Sequence, residues 1–290
     1  MGGGAWTKTA YINYVTTTAG FSNMDDMRAA DVSQLYRVRS LDSVLSPYNI
    51  MRECVDSEEH PKTIPVILAL DVTGSMGGAA EAVAKQLGDI MEDLYQKITD
   101  VEFCIMAIGD LSYDGAPIQM GQFESDVRIA DQLGKVYFEG GGGGNKFESY
   151  TAAWYMGARH TKLDCWNRGK KGIIITLGDE PLNPFLPARP LTIATGDPLQ
   201  GDINTVDLLA EVQEKYHLYH IVVDDRRTSA RMYEGKITNS WESALGKDRV
   251  IWANCNQLGG VITNIITSAG GEDDVECNVS SSNDGDGIKW

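Results

Sequence analysis

The alternation of apolar runs with segments of helical periodicity is the feature that most constrains the fold of this chain. The run VILAL at residues 66–70 is continuous, as expected of a strand that is covered on both faces. The segment that follows, residues 79–96, carries apolar residues at helical spacing. Further strands are predicted at residues 101–110, 135–140, 172–180, 218–225 and 249–255, and further helices within residues 148–161, 206–216 and 258–269. This order predicts the α/β class, as a doubly wound, mostly parallel sheet with helices on both faces.

The predicted sheet occupies the middle of the chain. Residues 1–62 are polar and lack sustained periodicity, so they are predicted to form an irregular N-terminal arm with one helix near residues 25–37. Residues 63–268 hold the alternating pattern and form the predicted domain, with 135–140 as a short edge strand. Residues 269–290 are polar and acidic, and are predicted to form a mobile tail.

The charge, the lengths of the apolar runs and the cysteine spacing limit the partners and the cell compartment that we expect for this chain. The formal net charge of −16 repels phosphate backbones, so nucleic acid is not an expected partner. No apolar run reaches the roughly 18 residues that a membrane-spanning helix needs, and no basic stretch before an apolar run marks a signal peptide. The five cysteines form no CxxC pair, which favours reduced thiols. We therefore expect a cytoplasmic protein that binds neither nucleic acid nor membrane.

Three acidic residues stand at predicted loop positions of one sheet edge. Asp71 ends the first strand, Glu148 follows a glycine run, and Asp179 ends the strand that contains IIIT. Ligands of such sheets bind outside the carboxyl ends of the strands, so we expect these side chains to converge. In the segment DVTGS, the oxygens of Asp71, Thr73 and Ser75 alternate and can face one centre. Hard oxygen ligands of this kind suit Mg²⁺, with Mn²⁺ or Ca²⁺ as alternatives.

Two other interpretations of these residues stay open from the sequence. Asp71 could cap the helix that follows it. The glycine run at residues 140–144 could cradle a phosphate, although it lacks the GxxxxGK[ST] pattern.

The DVTGS segment, in its strand–turn–helix setting, resembles the metal-ion-dependent adhesion site of the von Willebrand factor A (vWA) domain family. That family has a Rossmann-like fold and uses D-x-S-x-S after the first strand, a threonine from a second loop and an aspartate from a third. Here Thr73 replaces the first serine, and Asp179 in TLGDEP lies near the third-loop position. The second loop, EGGGGGNKFESYTAAW, lacks the matching threonine. Glu148 lies nearest to that position, with Asn145 and Ser149 as alternatives.

The resemblance covers residues 63–268 and implies a protein-binding module rather than an enzyme. The family's cation keeps one position open for a carboxylate of a protein partner, and nothing in this sequence looks like a nucleophile paired with a base. The metal ligands that it implies are Asp71, Thr73, Ser75 and Asp179, together with Glu148. A third direct carboxylate would make the site negative and disfavour an incoming carboxylate, so we expect Glu148 to hold the cation through water. The chain resembles stand-alone, intracellular members of prokaryotic or phage type.

Two alternative functions are also consistent with the sequence. DVTGS and GDEPLNP resemble motifs of haloacid-dehalogenase-type, Mg²⁺-dependent phosphohydrolases, in which Asp71 would be the nucleophile and Lys170 or Lys171 the helper lysine. However, Thr73 stands where those enzymes have a second aspartate, and Pro184 stands where their later motif ends in an acid. The other alternative is a structural or assembly protein that uses the fold without metal.

Overall fold

The computed structural model describes residues 4–140 and 147–270. Its strands are β1 (Arg52–Cys54), β2 (Ile64–Asp71), β3 (Val101–Ile108), β4 (Ile118–Met120), β5 (Thr161–Leu163), β6 (Gly172–Gly178), β7 (Phe185–Leu186), β8 (Ile203–Asn204), β9 (Tyr216–Val223) and β10 (Val250–Ala253). Its helices are α1 (Lys8–Thr17), α2 (Met24–Ala29), α3 (Val32–Leu35), α4 (Gly77–Tyr95), α5 (Arg128–Gly134), α6 (Thr151–Arg159), α7 (Asp164–Asn167), α8 (Ala188–Thr195), α9 (Thr205–Gln213), α10 (Glu234–Leu245) and α11 (Leu258–Gly270). Of the predicted tail at residues 269–290, the first two residues end α11 and residues 271–290 lie outside the described residues.

Six strands form the central sheet, in the order β10-β9-β6-β2-β3-β4. Every neighbouring pair is parallel except β3 and β4, which are antiparallel. β2 lies inside the sheet, where Leu68 is level with Ile105 of β3 and Ile175 of β6. The predicted fold class, a doubly wound and mostly parallel α/β sheet, is confirmed.

Alternate residues of β2 supply two separate cores. Val66, Leu68 and Leu70 belong to the core that α4 and α11 cover. Ile67 and Ala69 belong to the core on the other face, which α6, α9 and α10 cover. Because both faces of the sheet are buried, β2 is apolar at every position from Ile64 to Leu70 rather than at alternate ones, which is the pattern of a strand inside such a sheet.

The N-terminal segment differs from the irregular arm that the sequence predicts, because α1, α2 and α3 pack against α4. Tyr11 and Val15 of α1 are buried in the same core as α4, and a Cβ atom on Gly88 of α4 would stand 2.6 Å from the ring of Tyr11. The hydroxyl of Tyr36 donates a hydrogen bond of 2.9 Å to the carbonyl of Ala80. These helices have only 10, 6 and 4 residues, so each is too short to show periodicity in the sequence.

The predicted edge strand at residues 135–140 is wrong, since the edge of the sheet is β4. The side-chain amide of Gln119, in β4, donates to the carbonyl of Tyr137 at 2.7 Å and accepts the N–H of Tyr137 at 2.9 Å. A side chain thus takes the backbone groups that a neighbouring strand would have bonded. The segment runs beside the edge without joining the sheet.

Two short strand pairs lie outside the central sheet. β1 pairs in parallel with β5, and β7 pairs with β8 in antiparallel orientation. Among the described residues, no helix combines the length and apolar character that crossing a membrane requires.

Candidate functional site

Asp71 and Asp179 lie side by side at the carboxyl edge of the central sheet. Asp71 is the last residue of β2, and Asp179 directly follows β6, the neighbouring parallel strand. Both side chains are buried. Burial, followed by the charge of Asp179, raises the pKa of Asp71 to about 7, and burial also raises the pKa of Asp179. The two carboxylates therefore share a desolvated space in which their negative charges repel.

The DVTGS turn brings two hydroxyls to these carboxylates. Oδ1 of Asp71 accepts the backbone N–H of Thr73 at 2.8 Å and its hydroxyl at 2.5 Å. The hydroxyl of Ser75 donates to Oδ1 of Asp179 at 3.2 Å. Thr73 precedes a 3-10 turn, Gly74–Met76, that runs directly into α4. Asp71 makes no capping bond to α4, so the capping interpretation does not account for its position.

Tyr150, which directly precedes α6, connects the two strand ends. Its hydroxyl donates to Oδ2 of Asp71 at 2.7 Å and accepts the N–H of Asp179 at 3.3 Å. Burial and the charge of Asp71 raise the pKa of Tyr150 well above its usual value, so the hydroxyl remains a donor. A Cβ atom on Gly178 would overlap this hydroxyl, and a glycine before an acid at the end of a buried strand is the signal that could have revealed the contact.

The loop after β9 supplies a fifth hydrogen bond to this carboxylate pair. The backbone N–H of Ser229 donates to Oδ2 of Asp179 at 2.5 Å. Each of the four carboxylate oxygens of Asp71 and Asp179 thus accepts a hydrogen bond from within the protein. No local sequence signal marks Ser229, because this contact depends on the neighbouring positions of β6 and β9.

Three further acids surround the pair, and each has one buried carboxylate oxygen without a hydrogen-bond partner among the described residues. These atoms are Oε2 of Glu148, Oε2 of Glu180 and Oδ2 of Asp110. Glu148 is 4% exposed and Asp110 is 1% exposed. Burial, then the charges of Asp71, Glu180 and Asp110, raise the pKa of Glu148 to about 10. Burial and the charge of Asp179 raise the pKa of Glu180 to about 7.

The two alternatives to Glu148 in the second loop, Ser149 and Asn145, are not found beside Asp71 in the described part of the chain. The hydroxyl of Ser149 accepts the N–H of Leu111 at 3.0 Å, and its own N–H donates to the carbonyl of Gly109 at 3.2 Å. Ser149 therefore holds the loop after β3. Asn145 lies outside the described residues.

The donor set at this edge fits a hard divalent cation. Within residues 4–140 and 147–270, no group of three or more His, Cys, Asp or Glu side chains is arranged to hold a metal ion. The arrangement is instead two carboxylates, Asp71 and Asp179, with the hydroxyls of Thr73 and Ser75, while Glu148 is set back from them. Mg²⁺ is commonly bound by one or two carboxylates and completes its octahedron with water. The buried unpartnered oxygen of Glu148 is the kind of group that a water on such a cation would satisfy.

The lysines that a phosphohydrolase would need lie at the other end of the sheet. Lys170 and Lys171 precede β6, which begins at Gly172, whereas Asp71 stands at the carboxyl end of the parallel strand β2. The length of the strands separates these positions by about 20 Å. Lys171 donates instead to the carbonyl of Gln213 at 2.7 Å.

Comparison with known proteins gives only distant likenesses. The sequence matches no family model and no curated protein. Among solved structures, the pilus adhesin SpaC from Lactobacillus rhamnosus GG is similar over 76% of this chain and 31% of its own, with 12% identity and a TM-score of 0.47. Proximal thread matrix protein 1 from the mussel byssus is similar over 74% of this chain and 49% of its own, with 12% identity and a TM-score of 0.45.

A third similar structure is the conserved hypothetical protein BatB from Bacteroides thetaiotaomicron. The likeness covers 72% of this chain and 100% of BatB, with 14% identity and a TM-score of 0.44. The chain therefore spans about a third of the adhesin and about half of the mussel protein, but the full length of BatB. These likenesses are too distant to assign a family.

Proposed function

We propose that this chain is a von Willebrand factor A-like module that binds one divalent cation and, through it, a carboxylate of a protein partner. The cation is Mg²⁺, with Mn²⁺ or Ca²⁺ as alternatives. One observation carries the proposal: Asp71 and Asp179 meet at the ends of neighbouring strands, and each is hydrogen-bonded to a hydroxyl of the DVTGS turn.

Asp71, Thr73, Ser75 and Asp179 are the residues that would hold the cation. Two carboxylates balance the charge of a dication, so the site as a whole stays near neutral and accepts a further anionic oxygen. When bound, the cation supplies a Lewis-acidic position that an anionic oxygen can fill. Glu148 would contribute through water, because a third direct carboxylate would repel the partner's carboxylate.

A Mg²⁺ titration of the whole chain by calorimetry tests this function. Asp71→Asn keeps the size of the side chain but removes its charge, and we expect it to weaken Mg²⁺ binding at least tenfold. Asp89→Asn is the matched control, since Asp89 is an exposed acid on α4 that pairs only with Arg28 among the described residues. We expect this control to bind one Mg²⁺ as the unaltered chain does. If the unaltered chain binds no divalent cation, or if Asp71→Asn binds it equally well, the proposed function is wrong.

A further inference from the structure

The loop after β9 contacts the candidate cation site directly. The N–H of Ser229 donates to Oδ2 of Asp179 at 2.5 Å. The next residue, Ala230, is fully buried in the core. β9 is the neighbour of β6 and parallel to it, so the loop leaves the sheet at the edge where Asp179 lies. The loop therefore borders the candidate cation site at Asp179.

A compact turn within this loop presents two arginines. The N–H of Asp225 donates to the hydroxyl of Thr228 at 3.0 Å, and that hydroxyl donates to the carbonyl of Asp225 at 2.9 Å. The N–H of Thr228 also donates to the same carbonyl, at 3.1 Å. These bonds close the turn and place Arg226 and Arg227 at its tip, where both are exposed.

These two arginines differ from the third arginine of the loop. Arg231 is engaged within the protein: it forms ion pairs with Asp224 and Glu234, and its guanidinium lies 5.2 Å from the centre of the Trp252 ring. Across residues 4–140 and 147–270, the guanidinium groups of Arg226 and Arg227 form no ion pair or hydrogen bond. The positive charge of Arg226 also lowers the pKa of the neighbouring Asp225 carboxyl, so Arg226 is partly neutralised on the turn itself.

The negative charge of the chain near this edge of the sheet indicates a role for these two arginines in binding an acidic partner. A partner carboxylate that reaches this edge of the sheet approaches a chain of net charge −16. Arg226 and Arg227 belong to the loop whose Ser229 contacts Asp179, so their positive charges, that of Arg226 shared with Asp225, offset part of this repulsion. Complementary charge across an interface speeds association and selects partners. Met232, which is 77% exposed in the same loop, adds an apolar contact.

We propose that the turn of residues 225–228 is a second contact surface for the partner, and that the partner segment carries several carboxylates rather than one. One carboxylate completes the cation, while the others pair with Arg226 and Arg227, and an apolar side chain of the segment packs on Met232. This inference rests on the proposed function and deepens it by naming the chemistry of the partner.

Selection from a random peptide library displayed on phage, with the full chain as bait in Mg²⁺, tests this surface. We expect the selected peptides to be enriched in Asp and Glu at two or more positions, with an apolar residue between or beside them. Their affinities are then measured for the unaltered chain and for the double variant Arg226→Gln/Arg227→Gln. We expect about a tenfold loss at low salt and a smaller loss at high salt.

The matched control is Lys97→Gln/Lys247→Gln, which removes the same charge from exposed positions at the amino edge of the sheet. We expect this control to bind the selected peptides as the unaltered chain does. The proposal is overturned if no peptide is enriched, if the selected peptides are not acidic, or if the arginine variant and the lysine control bind them equally. Tighter binding of a single-stranded oligonucleotide than of the selected peptides also overturns it.

Asp71→Asn, measured in parallel, separates this inference from the proposed function. If peptide binding is lost in Asp71→Asn but unchanged in the arginine variant, the cation site is supported and the basic turn is refuted. If binding is lost in the arginine variant but survives both Asp71→Asn and chelation, the basic turn is supported and the proposed function is refuted.

Discussion

The hydroxyl of Tyr150 donates a hydrogen bond of 2.7 Å to Oδ2 of Asp71, and so joins the start of α6 to the end of β2. The hydroxyl oxygen of Tyr150 also accepts the N–H of Asp179, the residue that follows β6. Tyr150 belongs to neither strand, yet its buried hydroxyl holds both strand ends. It thereby sets the relative position of the two carboxylates before any ligand arrives.

Tyr150→Phe tests whether this bridge organises the site. The variant leaves Oδ2 of Asp71 and the N–H of Asp179 buried without this partner, so we expect the free energy of unfolding to fall by about 1–3 kcal/mol. We also expect Mg²⁺ affinity to fall by about tenfold, because groups that orient metal ligands contribute that much. Chemical denaturation and calorimetry measure the two effects. Tyr155→Phe is the control: it removes a hydroxyl bonded to Asp197, near the other end of α6, and should leave Mg²⁺ affinity unchanged. Equal Mg²⁺ affinity in the two variants would contradict a role for Tyr150.

Gly178→Ala tests the close approach of Tyr150 to β6. The added Cβ atom would overlap the Tyr150 hydroxyl inside a packed core, so we expect a loss of about 3 kcal/mol in the free energy of unfolding. Gly235→Ala is a matched control in α10, since a Cβ atom there would meet nothing within 4 Å. We expect this control to change stability by less than about 1 kcal/mol. Similar denaturation midpoints for the two variants would show that the contact is not tight.

The parts of the site that were predictable from sequence are those encoded locally. Asp71 and Asp179 each follow a continuous apolar run, and parallel strands bring their carboxyl ends to one edge. Tyr150 was not predictable as a site residue, because an aromatic residue near the start of a helix has the same pattern whether it packs or donates a hydrogen bond. Its role depends on contacts between elements far apart in the chain.

The edge of the sheet was not predictable for a related reason. Residues 135–140 have the apolar alternation of a short strand, but the side chain of Gln119 takes the backbone groups of Tyr137. One side chain on β4 thus takes backbone groups that would otherwise have paired this segment with the edge of the sheet. The N-terminal helices escaped prediction because each buries only one or two side chains, or none, as Tyr11 and Val15 of α1 illustrate.

Because the acids at this edge have raised pKa values, we expect the stability of the protein to depend on pH in the absence of a divalent cation. Burial raises the pKa of Asp71 to about 7, that of Glu180 to about 7 and that of Glu148 to about 10. These three acids therefore bind more protons in the folded protein than in the unfolded chain above about pH 4, so they make the free energy of unfolding fall as pH rises from about 4 to 7 and beyond. Denaturation in chelator across this range measures the effect.

Glu148→Gln identifies the contribution of one acid to this pH dependence. The amide stays neutral, so we expect the variant to be more stable than the unaltered chain by about 2 kcal/mol near pH 8, and of similar stability near pH 4. Saturating Mg²⁺ should flatten the pH dependence, because a cation favours the charged carboxylates. A free energy of unfolding that rises between pH 5 and 8 in chelator would contradict this account.

The chain is expected to show no phosphatase turnover. Thr73 stands where a dehalogenase-type hydrolase needs an acid–base aspartate, and Lys170 and Lys171 lie at the opposite end of the sheet from Asp71. A screen of generic phosphate esters with Mg²⁺ measures this. Turnover that disappears in Asp71→Asn would favour the enzyme over the binding module.

A crystal structure grown with Mn²⁺, with anomalous scattering recorded, tests the central claim most directly. We predict one anomalous peak between Asp71 and Asp179, about 2.2 Å from the hydroxyl oxygens of Thr73 and Ser75. We further predict that a water lies between the ion and the carboxylate of Glu148. A map with no peak at this edge of the sheet, or with its peak among other residues, would contradict the account.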